Sequence, residues 1–173
     1  QMCIRDRHHA LSSVKIYEAG YETPKEFYGA VIEEAIGKAS DMGASILCMA
    51  ITDESAYNGI ATSSSAALDE SIYHQGQCDR LVLVSAGNIQ TSDVDHNNYI
   101  ESCKANAVQS PAQAWNALTV GAYTEKTLVG DESFKPLAAP GGVSPYSCSS
   151  YPWHEKRNKP EIVMEGGNAV SYT

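Results

Sequence analysis

Asn88 is the residue whose chemistry the sequence isolates most clearly. It closes the stretch LVLVSAGN over 81–88, in which four apolar residues lead into a glycine and a carboxamide. Four consecutive apolar residues are typical of a strand covered on both faces, as in a parallel sheet. Because ligands of open α/β sheets bind beyond the carboxyl ends of the strands, an amide NH2 at this point can donate a hydrogen bond to a bound group. An ordinary turn residue is the alternative, and the spacing alone leaves both readings open.

The other side chains capable of chemistry are scattered along the chain. No Cys, Asp or Glu stands at a usual ligand spacing from any of the five histidines, His8, His9, His74, His96 and His154. The five cysteines contain no CxxC pair, which favours reduced, partly buried thiols over a disulfide framework. The glycine-rich stretch APGGVS is not a strand–loop–helix phosphate cradle. We therefore predict neither a metal site nor a cofactor.

Parallel strands joined by helices are predicted to position Asn88. Apolar patterns indicate four strands, near 14–19, 44–51, 80–86 and 117–122, and KPEIVMEGG adds a last short one. Helices are predicted over 24–42 and 62–76 from their apolar spacing. The first helix has Thr23 as N-cap, Pro24 at its first position and Glu26 to complete a capping box. This order of elements implies right-handed crossovers and a mainly parallel sheet covered by helices.

Composition and charge narrow the classes of partner. The chain has 173 residues, 43% of them hydrophobic and 19% charged, which is typical of one globular domain. Its net charge of −9 gives no general attraction to nucleic acid or to an anionic membrane. No apolar run approaches the roughly 20 residues that span a bilayer. We expect no nucleic-acid or membrane partner, and a small molecule or a peptide remains as the ligand.

The two ends of the sequence do not follow the pattern of the middle. Residues 1–7, QMCIRDR, have no helix or strand periodicity and are predicted to be a non-native leader. The other end stops mid-pattern at GGNAVSYT. We therefore expect residues 8–173 to be part of one domain. The compartment stays open, although scattered cysteines favour the cytoplasm.

Four segments, taken in order, resemble one protein family. They are VLVSAGN at 82–88, SPAQAWNALTVGA at 110–122, GGVSPYSCSS at 141–150 and KPEIVMEGG at 159–167. Together they resemble the middle of a subtilisin-like serine peptidase, a subtilase, and the similarity spans about 14–167. The resemblance implies a three-layer αβα fold with a mainly parallel sheet.

The resemblance also implies roles for particular residues. Asn88 matches the residue whose side chain is a donor of the family's oxyanion hole. The strand CMAIT stands where subtilases often have NMSLG, the edge that pairs with the substrate backbone, and Ala50, Ile51 and Thr52 replace Ser, Leu and Gly. The residues that the resemblance implies for substrate binding are Met49, Ala50, Ile51, Thr52, Ser85, Ala86 and Gly87.

The catalytic motifs of the family, around an Asp, a His and a Ser, do not occur in this sequence. In the family, the Asp and His precede the first strand found here and the Ser follows the last. The resemblance therefore implies a fragment of an endopeptidase that cleaves peptide or protein substrates through an acyl-enzyme, and we expect the fragment alone to be inactive. Two alternatives stay open: a Rossmann-like domain that binds a small ligand without covalent chemistry, and a pseudo-peptidase that binds a peptide or protein.

Overall fold

A computed structural model describes residues 11–16, 24, 27–53, 59–74, 76–128, 134–153 and 157–171. Three sequence predictions fall on residues outside these ranges. They are the leader at 1–7, the capping box formed by Thr23 and Glu26, and the part of the first predicted strand at 17–19.

The described residues form helices and strands in mixed order. The helices are α1 (Tyr28–Asp41), α2 (Ser63–Ile72) and α3 (Tyr99–Ala105). The strands are β1 (Ile46–Met49), β2 (Tyr73–His74), β3 (Gln77–Cys78), β4 (Leu81–Ser85), β5 (Leu118–Thr124), β6 (Phe134–Pro136), β7 (Gly142–Val143), β8 (Ile162–Glu165) and β9 (Ala169–Ser171).

The main sheet is largely parallel, and this confirms the predicted fold class. Its order is β1–β4–β5, with β8 parallel to β5 and the short β7 antiparallel to it. The strands predicted at 44–51, 80–86 and 117–122 all lie in this sheet. The strand predicted at 14–19 is wrong over 14–16, which have no ladder partner. Val14 and Ile16 instead line a cleft of about 400 Å³ beside α1 and β1.

The helices begin and end at other residues than their patterns predicted. Helix α1 begins at Tyr28 rather than at 24. Pro24 precedes the helix, and its carbonyl accepts a hydrogen bond from the backbone N–H of Phe27 (2.9 Å). Helix α2 begins after Thr62, whose hydroxyl accepts a hydrogen bond from the backbone N–H of Ser65 (3.1 Å). It ends before 76, because β2 and β3 pair as a hairpin that turns at Gly76.

Burial on the sheet differs between its two faces. One core cluster contains apolar side chains of α1, α2 and β4: Ile32, Ile36, Leu68, Ile72, Val82 and Val84. Leu81 is nevertheless 44% exposed and Leu83 is half-buried. The prediction that this strand is covered on both faces is therefore wrong for the described residues, which cover one face completely and the other in part.

Candidate active site

Two predicted segments leave the sheet at the same edge. Strands β1 and β4 are parallel neighbours, and Met49 is paired in register with Val84. The carboxyl ends of parallel neighbours meet at one edge of a sheet, so the chain after Met49 and the chain after Ser85 begin side by side. This edge is where open α/β sheets bind their ligands.

The chain after β4 passes through a positive-φ backbone conformation at Gly87, directly before Asn88, and we call residues 86–88 the Gly87 turn. Gly87 is buried and has a φ of +104°, a conformation that side chains rarely adopt. A Cβ built on Gly87 would lie 2.4 Å from the side-chain oxygen of Gln109. The backbone angle therefore favours glycine at this position, and an added Cβ would displace the side chain of Gln109.

Asn88 has a fixed backbone and an exposed side chain. Its N–H donates to Oε1 of Gln109 (3.3 Å), and its carbonyl accepts a hydrogen bond from Nε2 of Gln109 (3.0 Å). The next residue, Ile89, is buried and donates its N–H to the carbonyl of Tyr146 (3.0 Å). Among the described residues, none accepts a hydrogen bond from the Asn88 side chain. The turn therefore holds this residue in place while its amide faces solvent.

Gln109 links the two segments. Its Oε1 accepts a second hydrogen bond, from the hydroxyl of Thr52 (2.9 Å) in the segment after β1. Beside it, the backbone N–H of Asp53 donates to the carbonyl of Ser110 (2.9 Å). Gln109 lies one residue before the SPAQAW segment and was not among the residues predicted from the sequence, because no local pattern indicates a contact with Thr52 or Asn88.

The remaining predicted residues lie at this edge with different surroundings. Ala50 is exposed, whereas Met49, Ile51 and Ser85 are half-buried. Ala86 is buried, and its backbone already bonds within the fold, from its N–H to the carbonyl of Val120 (2.9 Å) and from its carbonyl to the N–H of Gln109 (3.0 Å). Met49, Ala50 and Ile51 also line the cleft beside 11–16, which is separate from Asn88.

The turn at Ser110 and Pro111 is attached to the start of α2. The buried Ser110 shares a hydrogen bond with the hydroxyl of Thr62 (2.7 Å). The hydroxyl of Ser65 donates to the carbonyl of Pro111 (3.2 Å). These bonds anchor the segment from which Gln109 reaches the site.

The segment KPEIVMEGG joins the sheet through an ion pair between a buried lysine and a partly exposed glutamate. Lys159 has a side chain only 3% exposed, and its ammonium lies 2.6 Å from Oε1 of Glu161 and 2.9 Å from the carbonyl of Ala117. The other oxygen of Glu161 accepts the N–H of Thr119 (2.7 Å). Lys159 and Glu161 thereby attach the start of β8 to β5.

The cysteines are free in the part of the chain that the structure describes. Cys48 and Cys78 are exposed, whereas Cys103 and Cys148 are buried. Burial raises the pKa of both buried thiols, that of Cys148 to about 12 with a smaller contribution from the nearby Cys103. Such thiols stay protonated near neutral pH and are poor nucleophiles.

The same residues hold neither a group of metal ligands nor a membrane-spanning helix. Within the described ranges, no three His, Cys, Asp or Glu side chains come together as a metal site. None of the helices described is both long enough and apolar enough to cross a bilayer.

Comparison with known proteins decides the family. The family model Peptidase_S8, the Subtilase family, matches residues 3–173. This chain belongs to the subtilase family. Among curated proteins, no relative of this subtilase chain matches.

Solved structures similar to this subtilase chain include two proteases. One is the prenylagaramide maturation protease PagA, with 20% sequence identity and a TM-score of 0.37 over 57% of this chain. The other is a lanthipeptide protease, with 17% identity and a TM-score of 0.43 over 70% of this chain. The matches cover 29% and 31% of those two chains, so this chain spans less than a third of either.

Proposed function

We propose that this chain is the central part of a subtilisin-like serine endopeptidase that cleaves peptide or protein substrates through an acyl-enzyme. In this proposal, Asn88 is a donor of the oxyanion hole, and the catalytic Asp, His and Ser are supplied from outside residues 1–173. The observation that carries the proposal is the exposed side chain of Asn88 beyond the carboxyl end of β4, with its backbone N–H and carbonyl both hydrogen-bonded to the Gln109 amide.

The chemistry requires a donor of this kind. Attack on a peptide carbonyl creates an oxyanion, which is stabilised by hydrogen-bond donors already oriented towards it. A carboxamide is neutral at every working pH and can donate without first being reorganised. The two hydrogen bonds from Gln109 to the backbone of Asn88 support such preorganisation, because they limit movement of the residue that carries the donor.

Substrate binding would use the neighbouring segments. Met49, Ala50, Ile51 and Thr52 follow or end β1, whose only strand partner among the described residues is β4. Beyond the carboxyl ends of the two strands, a peptide would pair through its backbone with the segment after β1, and the residues Ser85, Ala86 and Gly87 would form the other wall of the groove. Backbone pairing does not depend on the Ser, Leu and Gly that Ala50, Ile51 and Thr52 replace.

The first test is a substitution of Asn88 in the full-length protein. We expect Asn88→Ala to lower kcat about 10²- to 10³-fold, roughly 3–4 kcal/mol, with KM little changed. The magnitude is borrowed from subtilisin, the namesake of the family. KM is spared because the donor meets an oxygen position that fills only as the tetrahedral species forms. Asn88→Asp should be worse, since a carboxylate would face the developing negative charge.

Steady-state kinetics on a peptide substrate measure this effect, with a melting curve for each variant. Asn97→Ala is the matched control, because Asn97 is also exposed and lies in the loop before α3. An Asn88→Ala enzyme with wild-type kcat would contradict the assignment. A large drop in its melting temperature would make Asn88 a structural residue instead.

A second test concerns the chain by itself. A serine-directed fluorophosphonate should label the full-length protein and leave the chain of residues 1–173 unlabelled. Stoichiometric labelling of one Ser in this chain would overturn the proposal that the nucleophile lies elsewhere. Absence of labelling in the full-length protein would favour a pseudo-peptidase.

A further inference from the structure

We propose that Gln109 is a positioning residue for the oxyanion donor and makes Asn88 and the segment after β1 one rigid unit. The inference rests on the proposed function. Three hydrogen bonds carry it: two between the Gln109 amide and the backbone of Asn88, and one from the hydroxyl of Thr52.

The backbone of Gln109 is itself anchored, so its side chain starts from a fixed point. Its N–H donates to the carbonyl of Ala86 (3.0 Å), and its carbonyl accepts the N–H of Ala112 (2.9 Å). The side chain then fills the space beside Gly87 that a Cβ would otherwise occupy. Gln109 therefore contacts both neighbours of Gly87: its backbone N–H bonds to Ala86, and its side chain bonds to Asn88.

A carboxamide suits this position better than other side chains. It offers one acceptor and one donor in a single plane, and these pair with the N–H and the carbonyl of Asn88 respectively. A glutamate would turn a second oxygen towards the Asn88 carbonyl. A methionine of similar length would make neither bond.

The shared acceptor couples two parts of the site. Oε1 of Gln109 accepts from both Thr52 and Asn88, which belong to segments that begin at neighbouring strand ends. A shift of either segment must lengthen one of these bonds. In the peptidase, the wall that binds substrate and the donor that meets the oxyanion would thus keep a constant separation, which catalysis by orientation requires.

The test is a double-mutant cycle in the full-length enzyme. We expect Gln109→Met to lower kcat about 10-fold, with KM within about twofold, because the donor is still present but poorly oriented. In the Asn88→Ala background, Gln109→Met should lower kcat no further. Gln109→Glu keeps the acceptor and removes the donor, so it should behave similarly and serves if the methionine variant does not fold.

Gln113→Met is the matched control. Gln113 is a buried glutamine four residues further on, and its Nε2 donates to the carbonyl of Val108 (3.0 Å) rather than to Asn88. We expect this substitution to lower the melting temperature and to act on kcat equally in both backgrounds. If Gln109→Met lowered kcat by the same factor in the wild-type and Asn88→Ala backgrounds, Gln109 would have only a structural role, like Gln113, and the proposal would be overturned.

A measurement without catalysis separates this inference from the proposed function. In the chain of residues 1–173, amide hydrogen exchange by NMR should be about 10-fold faster at the Asn88 N–H in Gln109→Met, and unchanged there in Gln113→Met. Unchanged exchange in Gln109→Met would overturn the positioning role. Suppose that Asn88→Ala leaves kcat intact, whereas Gln109→Met accelerates exchange of the Asn88 N–H. The proposed function then fails, and the structural link between Gln109 and Asn88 stands.

Discussion

Replacement of Gly87 by alanine tests the geometry of the turn most directly. The new methyl group would overlap three side-chain atoms of Gln109, at 2.4, 2.6 and 2.7 Å. Because the amide end of Gln109 is among these atoms, the side chain must move and give up its hydrogen bonds to Asn88 and Thr52. The alanine must also adopt a φ near +104°.

The two costs can be assigned magnitudes. A residue other than glycine in this part of backbone space costs of order 1–3 kcal/mol. Each of the three hydrogen bonds contributes about 1 kcal/mol to stability. We therefore expect Gly87→Ala to lower the free energy of unfolding by about 4–6 kcal/mol, a large share of the stability of a domain of this size.

Urea unfolding followed by circular dichroism measures this loss, and Gly43→Ala is its control. Gly43 also has a positive φ, +81°, but an added Cβ would meet no atom within 4 Å. Its substitution should cost about 1–3 kcal/mol, the backbone part alone. Equal losses for the two variants would refute the reasoning, because they would mean that contact with Gln109 adds nothing.

Two further predictions concern buried charge and buried thiols. Glu161→Gln should lower the free energy of unfolding, measured in urea, by about 2–3 kcal/mol, because it leaves the buried Lys159 ammonium without its carboxylate. The loss is moderate because Glu161 itself is a third exposed, so that solvent screens the pair. The double variant Lys159→Met/Glu161→Gln should recover part of this loss. Burial raises the pKa of the Cys148 thiol from 9.0 to about 12 in the folded state. Above pH 9 this thiol therefore loses its proton in the unfolded chain but keeps it in the folded one, and the free energy of unfolding falls by up to about 1.4 kcal/mol per pH unit. Urea unfolding from pH 8 to 10 should show a shallower fall in Cys148→Ala, and an unchanged slope would contradict the assignment.

Sequence patterns predicted the strands of the main sheet well because short runs of apolar and β-branched residues favour an extended backbone. The runs around Cys48 and Leu83 and the segment ALTVGAY all became parallel neighbours. The end of α2 was mispredicted because Gly76 is compatible with both a helix terminus and a hairpin turn. The pairing of Tyr73 with Cys78 decided between the two, and no helical pattern contains that pairing.

The site was predicted in part for a similar reason. The position of Asn88 at a strand end follows from the apolar run before it. The role of Gln109 does not, because its partners Thr52 and Asn88 lie 57 and 21 residues away and the contact depends on how β1 and β4 align. Side-chain pairs across a sheet leave no periodicity in one sequence. Their prediction requires the register of the strands.

The long sequence separation of the Thr52–Gln109 hydrogen bond has a consequence for the order of folding. Closing a loop of 57 residues costs more chain entropy than forming a helix or a hairpin, and contacts of this kind slow folding. Helices α1 and α2 and the hairpin of β2 and β3 can form from local contacts, whereas the turn at Gly87 is complete only after β1, β4 and the segment before β5 have docked. A compact intermediate with native helices would therefore still lack a fixed Asn88, and chain collapse would precede the arrangement on which the role proposed for Asn88 depends.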